Sequence, residues 1–218
     1  MSGPVLGQET PGTTASDYNM LAFVFDMLIS QINTLKLVKV VSCTNAGGVA
    51  PVGTLVVQPL VNQMTPGGTP VPHDKLYAVP YFRLQGGTSA VILDPNPGDI
   101  GLCGFCDRDI SNVKATKGQA NPGSSSMFDW ADGLYLGGFL NGTPEQYIAF
   151  SSAGIFIYSP TQITIQAPTI NLTGTVDANG ATISEAGEVT DAAGVVLGTH
   201  PHSLVQPGSG NSGPPVAG

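Results

Sequence analysis

The spacing of apolar residues changes twice along this chain. Met20, Leu21, Val24, Phe25, Leu28 and Ile32 stand near helical spacing. Ser16-Asp17 just ahead of them offers an N-cap. One helix over 17–33 is predicted. Its apolar face is wide for a lone surface helix, so it packs either on its own domain or on a neighbouring subunit or partner.

From Leu35 the period shortens to two. Leu37 to Val41, Gly53 to Val61, Leu76 to Leu84, Ser89 to Leu93 and Ile100 to Cys106 read as strands. Pro66-Gly67-Gly68 and Gln85-Gly86-Gly87 punctuate them as turns. A closing hairpin is expected from Leu134 to Phe139 and Glu145 to Phe150, joined around Asn141-Gly142. Five or six short strands in about 110 residues suggest a small closed or half-open barrel such as an OB-fold. Gly118 to Ser126 reads as an exposed loop.

Beyond that the texture changes again. Gly154–Ser159, Gln162–Ala167, Thr169–Thr173 and Gly180–Ser184 each alternate apolar with polar residues, broken at Pro160, Pro168, Gly174 and Gly180. This irregular strand–turn repeat is of the kind found in β-helices and solenoids. It has too few large residues to enclose a core in one chain. Three intertwined chains, each giving one strand per layer to a shared prism, would solve that problem. The predicted organisation is a flexible arm and helix for attachment at 1–34, an OB-fold at 35–150, a trimeric β-helix shaft at 151–198 and an apex at 199–218.

Composition agrees with a mainly β chain. Of 218 residues, 29 are glycine and 18 proline, and only 10% are charged. All seven basic residues (Lys36, Lys39, Lys75, Arg83, Arg108, Lys114 and Lys117) precede residue 118, while the remainder carries acidic residues alone. Such a half-chain cannot neutralise phosphates, which excludes nucleic acid as its partner. It also lacks the basic face that draws peripheral proteins to anionic lipid. Three cysteines make a disulfide framework unexpected. The start Met1-Ser2-Gly3-Pro4 has no signal-peptide pattern, so synthesis in the cytoplasm is expected, with any later exposure by another route.

The candidate chemistry lies near the end. His200 and His202 flank Pro201, which favours extended backbone, so both imidazoles should project to one side. Two imidazoles cannot close a coordination sphere. Three chains on a three-fold axis would bring six nitrogens, an octahedral site suited to a first-row transition ion. Cys103-Gly104-Phe105-Cys106 has metal-type spacing but lacks a second ligand pair, and reads as two strand cysteines. His73 reads as a loop histidine, and Asp107-Arg108-Asp109 as a surface or turn ion pair that shapes the barrel. Ser203, His202 and Asp191 could be drawn as a hydrolytic triad, but no nucleophile elbow accompanies them.

Taken together, the chain resembles the central membrane-piercing spike proteins of contractile-tailed bacteriophages. Three features carry the resemblance. The run His200-Pro201-His202 followed by Gln206-Pro207-Gly208-Ser209-Gly210-Asn211-Ser212-Gly213-Pro214 is similar to the family's apex sequence. Pro97-Gly98-Asp99-Ile100-Gly101-Leu102 running into Asp107-Arg108-Asp109-Ile110 is similar to its OB-fold pattern. The order of helix, barrel, Thr/Ile-rich repeats and histidine apex is the third. The resemblance implies a homotrimer in the virion's tail baseplate, docked at its N-terminal base on a hub protein. Its tip would be held by one iron ion on His200 and His202 of three chains, and would puncture the host outer membrane. No enzymatic activity is implied. A spike of a related secretion or bacteriocin machine would share the fold and site. A trimeric metal-dependent enzyme would need an open metal position and a nearby acid or base, and a trimeric adhesin would want exposed aromatics in the shaft or tip, and none follows Tyr158.

Overall fold

Alternation of β-branched with polar residues produces strands along most of the chain. The computed structural model describes residues 12, 16–65 and 67–199. In order these form α1 (Asp17–Ser30), β1 (Leu35–Cys43), β2 (Thr54–Pro59), β3 (Gln63–Met64), β4 (Pro70–Val71), β5 (Leu76–Pro80), β6 (Leu84–Gly86), β7 (Ser89–Val91), β8 (Ile100–Phe105), α2 (Ser111–Thr116), β9 (Gly133–Gly138), β10 (Tyr147–Ser151), β11 (Gly154–Tyr158), β12 (Val176–Ala178), β13 (Ala181–Ile183) and β14 (Val189–Thr190). The chain divides into two compact units, Met1–Pro144 and Glu145–Gly218. No helix among the described residues is long and apolar enough to cross a membrane.

The first unit is built on one five-stranded antiparallel sheet in the order β5-β2-β1-β8-β9. After three successive neighbours, β8 returns by a long connection to lie beside β1, which makes β8-β1-β2-β5 a Greek key. The sheet curls into a half-barrel until Tyr81, just past β5, makes a parallel bridge with Tyr135 of β9. There the Phe82 N–H donates to the Tyr135 carbonyl at 2.8 Å. The concave face gathers Val38, Val40, Leu55, Val57, Val79, Tyr81, Cys103 and Tyr135 into the core. Gly101 is required where Tyr135 crosses β8, because a Cβ there would meet the Tyr135 hydroxyl and the Gly137 carbonyl. Burial pushes the Tyr135 phenol up to about 12.

Two sequence expectations fail in this unit. The run Leu76 to Leu84 is not one strand: β5 ends at Pro80 and β6 starts at Leu84. The cause is Arg83, which turns inward to pair with Asp94 at 2.6 Å, both side chains 3% exposed. Asp94 also accepts from the Tyr81 hydroxyl at 2.6 Å and the Gly47 N–H at 3.0 Å, while Arg83 donates to the Ala50 carbonyl at 2.6 Å. One carboxylate therefore ties the β1–β2 loop to both ends of the β6–β7 excursion.

The second failure is the closing hairpin. β9 pairs with β8, and β10 pairs with β11 in the other unit. Asn141 is not a hairpin turn residue, because its side-chain oxygen accepts from the Ile100 N–H at 2.8 Å and caps the β8–β9 edge.

The Tyr81 hydrogen bond, aided by Arg83 and the Gly47 N–H, holds the Asp94 carboxyl below its ordinary range. A carboxyl lowered on folding contributes stability above its unfolded pKa of ~3.9, and that contribution is lost as pH falls through the folded value. Asp94→Ala leaves Arg83 buried without its partner. The thermal midpoint of the first unit, followed by fluorescence of the sole tryptophan, Trp130, should fall by roughly 10 °C at neutral pH. The deficit relative to wild type should shrink below about pH 4. An unchanged midpoint would show that the pair does not lock this unit.

The second unit holds the β10–β11 hairpin and the small antiparallel sheet β12-β13-β14. Residues 159–175 between them form no strand within the chain. A strand needs a hydrogen-bonding neighbour, and none of this chain's described segments supplies one for Gln162–Ala167 or Thr169–Thr173. No residue from Glu145 to Thr199 is buried. Ile148, Phe150, Ile155, Ile157, Ile163, Ile165 and Leu172 are all at least half exposed, and Ile170 is 48% exposed.

Candidate functional site

His200 and His202 lie outside the described residues. What the structure places is the backbone leading to them. After β14 the chain turns back on itself: Thr190 forms an antiparallel bridge with Val196, and the Leu197 N–H donates to the Val189 carbonyl at 2.8 Å. Asp191 makes this reversal. Its Oδ1 accepts from the Ala193 N–H at 2.9 Å and the Val195 N–H at 2.8 Å, and Gly194 takes a φ of +81°. Only glycine enters that left-handed region at no steric cost. The Thr199 N–H then donates to the Val196 carbonyl at 3.2 Å, one residue before the first histidine.

This arrangement gives Asp191 a structural task. Both donors to Oδ1 are backbone amides of its own turn, as in an Asx turn. The β12–β13 turn repeats the device. The Gly180 N–H donates to Asp177 Oδ1 at 2.9 Å, and Asn179 and Gly180 both have positive φ. Two of the carboxylates that make this end of the chain acidic are therefore turn formers.

The other candidates fall in the first unit. Cys103 is fully buried in the core, and burial pushes its thiol to about 11, so it packs as a small hydrophobe. Cys106 is half-buried, and its thiol is also raised, chiefly by burial and then by Asp132 and Asp107. Asp107-Arg108-Asp109 is not an ion pair: among the described residues the ion pair found is Arg83–Asp94. Asp109 instead accepts the Ser111 N–H at 2.8 Å ahead of α2, and hydrogen bonds from Ser111 lower its carboxyl to about 2.

His73 is a loop residue whose carbonyl accepts from Gln58 Nε2 at 2.6 Å. Its ring lies 4.6 Å from that of Trp130, while Lys36 Nζ stands 5.6 Å from the same ring. These residues line a cleft of about 530 Å³ with Asn33, Gln63 and Asp129. Sequence reasoning missed this cluster and the Arg83–Asp94 pair, because their members are far apart in the chain and share no motif.

Comparison with known proteins adds one match. Residues 194–216 fit the family model described as the GpV apex motif. No curated protein matches the chain. The match begins at Gly194, within the reversal that Asp191 opens, and takes in the histidine pair. It fits the apex of a phage baseplate spike, and it supports a spike-type structural role for the chain.

Proposed function

We propose that this chain is one of three in the central spike of a phage tail baseplate, and that the spike punctures the host outer membrane. The observation that carries the reading is the coincidence of an apex-motif match with a second unit in which none of the described residues, 145–199, is buried. A segment with so many apolar residues and no buried one requires further chains to cover it. Three copies winding together would give residues 159–175 strand neighbours, which supports a trimeric β-helix shaft over 151–198. At the other end, a five-stranded, partly open Greek-key barrel is the architecture of an OB-fold. The strand order and the Tyr81–Tyr135 bridge support that reading for 35–150. The arm and helix at 1–34 would then face a baseplate hub.

At the apex the donor set fits a first-row transition metal. His200 and His202 give two imidazoles per chain, and three chains give six, a set that suits iron. The ion would tie together three chain ends at a point too narrow for a hydrophobic core. Six protein donors leave no position for substrate, so the metal's role is structural.

Light scattering on the purified protein, with elemental analysis of the same peak, tests the reading. The expected mass is three times the 22.3 kDa of the chain, with about one iron per three chains. A monomer, or a trimer free of transition metal, overturns it.

A further inference from the structure

Helix α1 has no buried residue. Tyr18, Leu21, Phe25, Leu28 and Ile32 follow one another at steps of three, four, three and four. That is the 3.5-residue period of a coiled-coil seam, with Tyr18, Phe25 and Ile32 at a and Leu21 and Leu28 at d. Within the helix the four seam residues are each more than half exposed, and Ile32, just past its end, is 41% exposed. Asn19 and Asp26, seven residues apart, fall together at position b, facing away from the seam. Ser16 caps the start by accepting the Asn19 N–H at 3.2 Å, so the first turn is formed without any partner.

We propose that three copies of α1 associate as a short parallel bundle, seamed by Tyr18, Leu21, Phe25, Leu28 and Ile32. The inference rests on the trimer reading above. A period of 3.5 is what a helix needs to meet a copy of itself in register over more than one heptad. The second unit already calls for two further copies, so those copies are at hand. Fourteen residues make a rod of about 21 Å, too short to hold itself together in water. The bundle therefore draws on the local concentration that the rest of the trimer supplies. Three helices on one axis would give the base a stalk whose outer face, Met20 and Met27 at position c, remains for a further partner.

Cysteine cross-linking in the full-length chain tests this. Leu28→Cys and Leu21→Cys place thiols at d, near the axis, within the ~7 Å Cα separation a disulfide can span. Asp26→Cys places one at b, and the wild-type chain with Cys43, Cys103 and Cys106 sets the background. After mild oxidation, both d variants should give disulfide-linked dimers on the order of tenfold above Asp26→Cys and wild type. A trimer by light scattering whose d variants cross-link no better than Asp26→Cys overturns the bundle and leaves the trimer standing. The helix then belongs to its own sheet or to another protein. A monomer by light scattering overturns the trimer reading, and the bundle with it.

Discussion

Replacing His200 and His202 together by alanine should strip iron from the assembled protein while the base stays folded. The chain has three histidines. The third, His73, sits in the first unit with its ring against Trp130. No Asp, Glu or Cys follows Asp191, so the apex has no substitute ligand to offer. Asp191 itself spends Oδ1 on its own turn. Iron by elemental analysis should fall from about one per three chains to below about a tenth of that. A metal held at a thousand times its Kd adds about 4 kcal/mol to the state that binds it. The double variant should therefore lose thermal stability and expose residues after Thr199 to protease. Trp130 fluorescence, which reports the base, should not change. His202→Ala alone removes three of six donors and should weaken iron retention short of abolishing it. Iron kept at wild-type levels in the double variant would remove the histidines from the site.

The sequence made the central strands readable because each carries a period-two pattern that one buried face demands. Val38 and Val40 in β1, Leu55 and Val57 in β2, and Cys103 in β8 all point inward as alternation requires. What it hid depends on long-range partners. Nothing near Arg83 announces that it will turn in toward Asp94 and cut a strand in two. Nothing near Asn141 shows that its side chain will reach the Ile100 N–H and end the barrel there. The Asn-Gly pair suggested a hairpin, yet the hairpin forms at Ser152-Ala153, where Ser151 Oγ accepts the Ala153 N–H and Gly154 has a φ of +123°. The helix was readable from its spacing, but whether its face packs inward is a tertiary matter, and that none of its residues is buried came from the structure. The apex motif was legible, because a dense local motif needs no long-range partner to be recognised.

Ile157→Asp should dissociate the proposed trimer. In the β10–β11 register Ile148 stands opposite Ile157 and Phe150 opposite Ile155, which puts four large apolar side chains on one face. Tyr147, Phe156 and Tyr158 occupy the other, with the Tyr147 ring 5.5 Å from Tyr158. A two-stranded ribbon is marginal alone, and this one is apolar on both sides with every one of those seven residues exposed. Its stability must come from what covers it. Each aliphatic side chain of this size contributes about 1.5–3 kcal/mol on full burial. An aspartate at 157 removes that contribution in three chains at once and places three like charges where no Lys or Arg of this half of the chain can answer them. Light scattering should then read the mass of one chain. The Trp130 transition should stay in place, since Ile157 belongs to the other unit. Ser152→Asp, in the turn and off both faces, carries the same charge and should leave the trimer intact. If Ile157→Asp stays trimeric, something other than a copy of this chain covers that face, and the shaft begins after Tyr158. If both variants dissociate, charge alone drives the chains apart, and the apolar face is not what joins them.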